Sequence, residues 1–172
     1  MLYVIMSLYR KDTLLKGQEA IESLFNQIYT PFYLYIICDG PIKNDVASYI
    51  NNLLTKHVCI NTRERNLGLA YSLNELLNIV LKKEDCTYIA RMDADDISMP
   101  GRFAKQIAFM DSHPDIDCLG TWAIEIDNEG KEYFRKKMPM THEECLELFK
   151  KRDCLIHPTV MFRRSYFEKA GL

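Results

Sequence analysis

The sequence predicts an open α/β fold on a mostly parallel central sheet flanked by helices, with a smaller mixed or antiparallel portion after about residue 115. Three observations predict it. Short apolar segments alternate with stretches whose apolar residues recur at helical spacing, as in successive βαβ units. One of those segments, Phe32 to Cys38, is nearly apolar throughout, as expected for a strand covered on both faces. Polar residues follow the first, second and fourth such segments directly: Ser7-Leu8-Tyr9-Arg10, Asp39-Gly40 and Asp93-Ala94-Asp95-Asp96.

The elements follow in order. Leu2 to Leu8 reads as the first strand, and Leu14, Ile21, Leu24, Phe25 and Ile28 mark one face of a helix that closes before Pro31. Phe32 to Cys38 is the second strand, broken by Asp39-Gly40-Pro41. Val46, Ile50, Leu53 and Leu54 mark the second helix, and His57 to Asn61 a short third strand. Leu69, Leu73, Leu76, Leu77 and Val80 form the clearest helical stripe, and Tyr88 to Met92 is the fourth strand. Beyond Pro114 the pattern changes. Cys118 to Ile126 and Glu132 to Arg135 read as strands joined by a turn at Asp127-Asn128-Glu129-Gly130. Thr141 and Glu144 make a capping box for a helix reaching about Lys150. Leu155 to Phe162 reads as a further strand and Ser165 to Ala170 as a short helix. No repeat or linker interrupts the chain, so residues 1–172 are expected to form a single domain.

Composition narrows the function. With 172 residues and 48% hydrophobic content, one sizeable core is expected, and a net charge of −2 gives no support to a generic nucleic-acid binder. The six cysteines are scattered without a C-x-x-C pair, which argues for free thiols in a reducing compartment rather than disulfides or a zinc site. Apolar strand sequence begins almost at once, so no signal peptide is expected; with no run long enough to span a bilayer, a cytoplasmic protein is expected. The basic clusters Arg135-Lys136-Lys137, Lys150-Lys151-Arg152 and Arg163-Arg164 read first as solvated faces, and are compatible with peripheral contact at a membrane surface.

In a parallel sheet the strand ends that carry polar groups share one edge, so Tyr9, Asp39 and the acidic run should meet in one crevice. An aromatic ring can stack on a base and a lone carboxylate can accept from a base N–H. Clustered carboxylates suit a hard divalent cation that screens phosphates. An acidic turn that caps the following helix is the plainer alternative for Asp93 to Asp96.

The landmarks accumulate in order: Met6-Ser7-Leu8-Tyr9, Ser23 to Tyr29, Cys38-Asp39-Gly40-Pro41, Arg65-Asn66-Leu67-Gly68-Leu69-Ala70 with Asn74, Met92 to Asp96 with Pro100, Arg102 and Gln106, and His157-Pro158-Thr159 before Phe162-Arg163-Arg164. On these the chain resembles the GT-A fold glycosyltransferases of family 2, inverting enzymes that use nucleotide-sugars, from about Leu2 to its last residue. The resemblance implies a nucleotide-binding half over about residues 1–100 and an acceptor-side half over about 101–172. It implies that Tyr9 packs on a nucleobase, usually uracil, that Asp39 binds its N3–H edge, and that Ser7, Arg65 and Asn66 lie near the nucleotide. Asp93 would approach ribose or diphosphate, and Asp95 together with Asp93 would hold Mn²⁺ or Mg²⁺. Asp96 and His157 are implied as further donor or metal contacts.

The implied reaction passes a hexose from a nucleotide-sugar, a UDP-sugar in the commonest case, to a glycan or lipid-linked acceptor in bacterial surface polysaccharide synthesis. The family's catalytic base follows a Gly-aliphatic or Gly-aromatic pair, matched here by Gly171-Leu172, so the base is expected after Leu172 and the acceptor-side half is expected to be truncated. Two rivals stand beside this reading. A sugar nucleotidyltransferase needs a glycine-rich phosphate loop, whereas Ser7 to Thr13 contains no glycine. A non-catalytic module of the same fold would keep the architecture without the chemistry.

Overall fold

Strict alternation along the first strand decides where the helices sit. Leu2, Val4, Met6 and Leu8 join one apolar cluster, while Tyr3 and Ile5 join another on the opposite face. The structure, a computed structural model, describes residues 1–55 and 57–171. Its first part runs β1 (Leu2–Leu8), α1 (Leu14–Phe25), β2 (Phe32–Cys38), α2 (Asn44–Asn51), β3 (Val58–Thr62), α3 (Leu69–Val80), β4 (Tyr88–Met92) and α4 (Arg102–Ser112). Then come β5 (Cys118–Leu119), β6 (Ala123–Ile126), β7 (Glu132–Lys136), α5 (His142–Phe149), a single 3-10 turn at His157–Thr159, β8 (Met161–Arg163) and α6 (Arg164–Ala170).

Among the described residues the main sheet has six strands in the order β3-β2-β1-β4-β8-β5, and β6 pairs with β7 in a separate ribbon. β1, β2, β3 and β4 are mutually parallel, and β8 runs antiparallel to β4 and β5. Ala20, Ile21 and Leu24 of α1, Val46 and Ile50 of α2, and Phe103, Ile107 and Met110 of α4 bury against one face of the sheet. Leu73, Leu76, Leu77 and Val80 of α3 bury against the other, with Phe167 of α6 packed beside them. The result is the helix–sheet–helix layering of an α/β fold. No described helix is long and apolar enough to cross a membrane.

The structure corrects several element boundaries. β3 begins at Val58, one residue after the expected His57. Phe25, Ile28 and Leu54, expected on buried helix faces, are exposed: Ile28 and Leu54 fall beyond the ends of α1 and α2, and Phe25 closes α1 as its last residue. The expected strand from Cys118 to Ile126 is two strands in different sheets. Gly120 lies between them, where an added Cβ would stand 2.9 Å from Leu155 Cδ2, so the chain bends under that side chain. The expected strand from Leu155 to Phe162 shrinks to Met161–Arg163, because His157-Pro158-Thr159 coils into the 3-10 turn with Pro158 near its start. α4 is the helix expected after the acidic turn, for which the sequence pattern sets no bounds. The Thr141–Glu144 capping box is present as expected. All six cysteines are free thiols.

Candidate functional site

Register alone brings the three polar strand ends to one edge. Leu8 of β1 lies opposite Cys38 of β2, and Met6 of β1 lies opposite Met92 of β4. The chain steps outward from β1 through β2 to β3, then returns to place β4 on the other side of β1. Ligands of open α/β sheets sit at such a reversal, beyond the carboxyl ends of the strands. Ser7 is half-buried within β1, and Tyr9 follows it with 40% of its surface exposed. The Tyr9 N–H donates to Asp12 Oδ2 (2.8 Å), and Lys43 Nζ donates to the Asp12 carbonyl (2.8 Å). Burial raises the Asp12 carboxyl pKa, the Tyr9 hydrogen bond opposes this, and the negative charges of Asp95 and Asp93 add to it. The turn after β1 and the acidic run therefore lie within one electrostatic field.

Asp39 is only 3% exposed and serves as a clamp between strands and helix. Oδ1 accepts from the Leu67 N–H (2.8 Å) and from Arg63 Nη1 (3.3 Å), and Oδ2 accepts from the Gly68 N–H (2.8 Å). Its carbonyl accepts from Asn66 Nδ2 (3.0 Å). The carboxylate thus faces the amino end of α3, where backbone N–H groups and the helix dipole favour an anion. Gly40 makes the approach possible: its φ is +81°, and a Cβ there would lie 2.7 Å from the Asn66 nitrogen. Arg65 and Asn66 are exposed on the loop before α3.

At the end of β4, Arg91 is buried and grips Asp93 with both terminal nitrogens, Nη1 donating to Oδ2 (2.8 Å) and Nη2 to Oδ1. Asp93 and Asp96 are half-buried and Asp95 is exposed; one oxygen of each lies within 4.8 Å of the others. Burial raises the Asp96 pKa, the charges of Asp93 and Asp95 raise it further, and Arg91 and Arg102 oppose the shift. Side chains at the end of α1 and just after it brace the next segment: Ser23 Oγ accepts from the Ser98 N–H (2.9 Å), and Gln27 Nε2 donates to the Met99 carbonyl (2.8 Å). Arg102 Nη2 donates to the Arg91 carbonyl (2.8 Å), so the acidic turn is fixed from behind as well.

The three carboxylates open into a cleft of about 570 Å³ that Lys136, Arg152, Asp153 and His157 also line. Gln106 Nε2 donates to the Thr159 carbonyl (2.9 Å), which ties the 3-10 turn bearing His157 to α4. Desolvation of its packed side, then the charge of Arg91, lowers the His157 pKa, so its imidazole is neutral at neutral pH with a lone pair available. A second hollow, of about 420 Å³, lies at the amino ends of β2 and β3 around Phe25, Phe32, Leu53 and His57, and among the described residues its lining holds no Asp, Glu, Lys or Arg.

Every expected site residue therefore lies on or beside the carboxyl edge, in three groups. Ser7 and Tyr9 belong to β1 and its turn, Asp39, Arg65 and Asn66 to the β2–α3 junction, and Asp93, Asp95, Asp96 and His157 to the cleft. Sequence reasoning missed Arg63 and Arg91, which hold the carboxylates, and Lys136 and Arg152, which line the same cleft. Lys136 and Arg152 sat in clusters that read as solvated surface, and no local pattern marks a strand-end arginine as a clamp.

The model of the family described as glycosyl transferase family 2 matches residues 3–171. The amylovoran biosynthesis glycosyltransferase AmsE of Erwinia amylovora is 35% identical over 99% of this chain and 63% of its own length. The Escherichia coli UDP-Gal:alpha-D-GlcNAc-diphosphoundecaprenol beta-1,3-galactosyltransferase is 31% identical over 98% of this chain and 60% of its own. The chain thus spans less than two thirds of either relative. Among solved structures, residues 1–349 of S. aureus TarS in complex with UDP-GlcNAc superpose with a TM-score of 0.70 over 98% of this chain and 46% of that one, at 17% identity, a likeness of fold.

Proposed function

The chain belongs to glycosyl transferase family 2 and has the GT-A fold, and from that premise we propose that it is the donor-binding part of an inverting glycosyltransferase. The proposed donor is a UDP-sugar held with Mn²⁺ or Mg²⁺. The proposed acceptor is a hydroxyl of a glycan or lipid-linked saccharide, in assembly of a bacterial surface polysaccharide at the cytoplasmic face of a membrane. One observation carries the reading: three carboxylates within 4.8 Å of one another open into a cleft on the edge that also carries Tyr9 and Asp39. The relatives support it, since one is named for amylovoran biosynthesis and another for a UDP-Gal donor and a diphosphoundecaprenol-linked acceptor.

The residues suit a hard cation. Each of Asp93, Asp95 and Asp96 offers an oxygen, and their mutual repulsion, which adds to burial in raising the Asp96 pKa, is what a divalent charge would relieve. Asp95 and Asp93 would hold the cation, with Asp96 and the neutral His157 beside it. A bound cation supplies Lewis acidity and neutralises charge on the departing diphosphate. Arg91, bonded to both oxygens of Asp93, fixes that carboxylate's orientation at the cleft. Tyr9 stacks on the uracil, and Asp39 uses its remaining lone pair for the N3–H. Ser7, Arg65 and Asn66 line the ribose side. Lys136 and Arg152, which line the same cleft, bring positive charge to the diphosphate.

In this reading residues 1–100 form the nucleotide half and 101–172 the acceptor-side half of one domain. In-line attack by the acceptor hydroxyl inverts the anomeric centre, and a general base adds about 10²–10⁴-fold. Among acids in the second half, Glu144 is engaged in the capping box and Glu125 accepts from the Tyr133 hydroxyl. The reading assigns the general base to a part of the whole protein outside these 172 residues, in keeping with a chain that spans 63% and 60% of the two relatives' lengths. Calorimetric titration with UDP, with and without Mn²⁺, tests the donor site: binding strengthened by the cation is expected, and no binding in either condition ends the reading. Robust sugar transfer by the 172-residue chain alone would refute the placement of the base.

A further inference from the structure

Arg63 is held more elaborately than a surface arginine needs to be. It follows β3 directly, its side chain is 11% exposed, and it touches four groups on two other elements. Nη1 donates to Asp39 Oδ1 (3.3 Å), Nη2 donates to Ser72 Oγ (3.2 Å), and Nε lies 3.3 Å from Glu75 Oε2. The guanidinium also lies over the Tyr71 ring, 4.9 Å from its centroid. Tyr71, Ser72 and Glu75 all belong to α3, so Arg63 joins that helix to the end of β2.

The consequence falls on Asp39. A carboxylate has about four lone-pair positions, and three donors already occupy Asp39: the Leu67 and Gly68 N–H groups and Arg63. A carboxylate bonded to three donors presents acceptor positions only, since it donates no hydrogen bond itself. What is left is one acceptor position of fixed direction. A uracil ring offers N3–H to such a position, whereas cytosine offers an unprotonated N3 and would set lone pair against lone pair. A site built around a fixed acceptor discriminates strongly, because the wrong ligand leaves the buried polar group unpaired.

We propose that Arg63 is a positioning residue that sets nucleobase selectivity, holding Asp39 as a one-directional acceptor so that a base with a ring N–H is taken and one without it is refused. The proposal deepens the donor-site reading and rests on it. The binding of UDP and of CDP, each with Mn²⁺, is measured by calorimetry on the wild-type chain and on Arg63→Met and Arg63→Lys, with thermal unfolding of each variant recorded. The wild type prefers UDP. Arg63→Met lowers UDP affinity about tenfold or more, the scale of a lost hydrogen bond to a charged group, while CDP affinity changes little, so the preference collapses. Arg63→Lys restores part of the preference by returning a charge, and carries the comparison if Arg63→Met fails to fold. Equal losses for UDP and CDP, or a preference unchanged in both variants, would overturn the positioning role and leave the donor site standing. A wild type that binds neither nucleotide takes down the donor reading and the selectivity proposal together.

Discussion

Asp96 stands between two other carboxylates in a partly desolvated turn, and its pKa moves up from the ordinary 3.8. The folded chain therefore holds a proton that the unfolded chain has already released, over the window between 3.8 and the raised value. In the absence of a cation, stability falls as pH rises through that window. Thermal melts without divalent ions should show this loss, and Asp96→Asn should melt a few degrees higher than wild type above the window. The same variant should gain less from Mn²⁺. Asp95→Ala removes an exposed ligand rather than a strained one, so it should weaken Mn²⁺ binding about tenfold or more while leaving the cation-free melt nearly unchanged. A titration followed by calorimetry separates the two behaviours.

At the scale of elements, the β2–α3 junction is where close approach matters most. Gly40→Ala would force a Cβ against the Asn66 nitrogen at a φ of +81°. About 1–3 kcal/mol of stability should be lost, measured by denaturant unfolding, and UDP binding should weaken with it because Asp39 adjoins the strained residue. This scale also shows what the sequence made legible. β1, β2 and β4 could be read to the residue because they are apolar runs ended by a polar group. α4 could not be bounded from sequence because its buried face includes the polar Gln106, whose amide is used inward on the carbonyls of Leu119 and Thr159, leaving only Phe103, Ile107 and Met110 as a stripe. Cys118 to Ile126 could not be divided from sequence, since the bend depends on Leu155, 35 residues after Gly120. The acidic run and Asp39 were legible as chemistry, but Arg63 and Arg91 gain meaning only from partners that folding supplies.

Across the whole molecule, burial is uneven. β1, β2 and β4 are almost wholly buried, whereas α5 has no buried residue and β6 and β7 are half-buried at best. Backbone amides of β1 and β4 should resist hydrogen exchange up to global unfolding, and those of the β6–β7 ribbon and α5 should exchange through local opening at lower free energy. Native-state exchange read by mass spectrometry or NMR checks this ordering, which would fail if the ribbon proved as protected as β1. Phe103, fully buried with its ring edge-on to Phe32, anchors α4 beneath the acidic turn. Phe103→Ala should cost about 3–5 kcal/mol, seen as a lower denaturant midpoint.

The reversal in strand order has a practical corollary. One flank of β1 supplies the groups around Asp39, and the other supplies the acidic run, with β1 alone between them. A chimera that exchanges the 39–41 and 61–70 loops for those of a relative with another nucleoside preference should inherit that preference while keeping the parent's divalent-ion affinity. Evolution of new donors in such a scaffold could then proceed by loop replacement on one flank, with the ion-dependent chemistry inherited intact from the other.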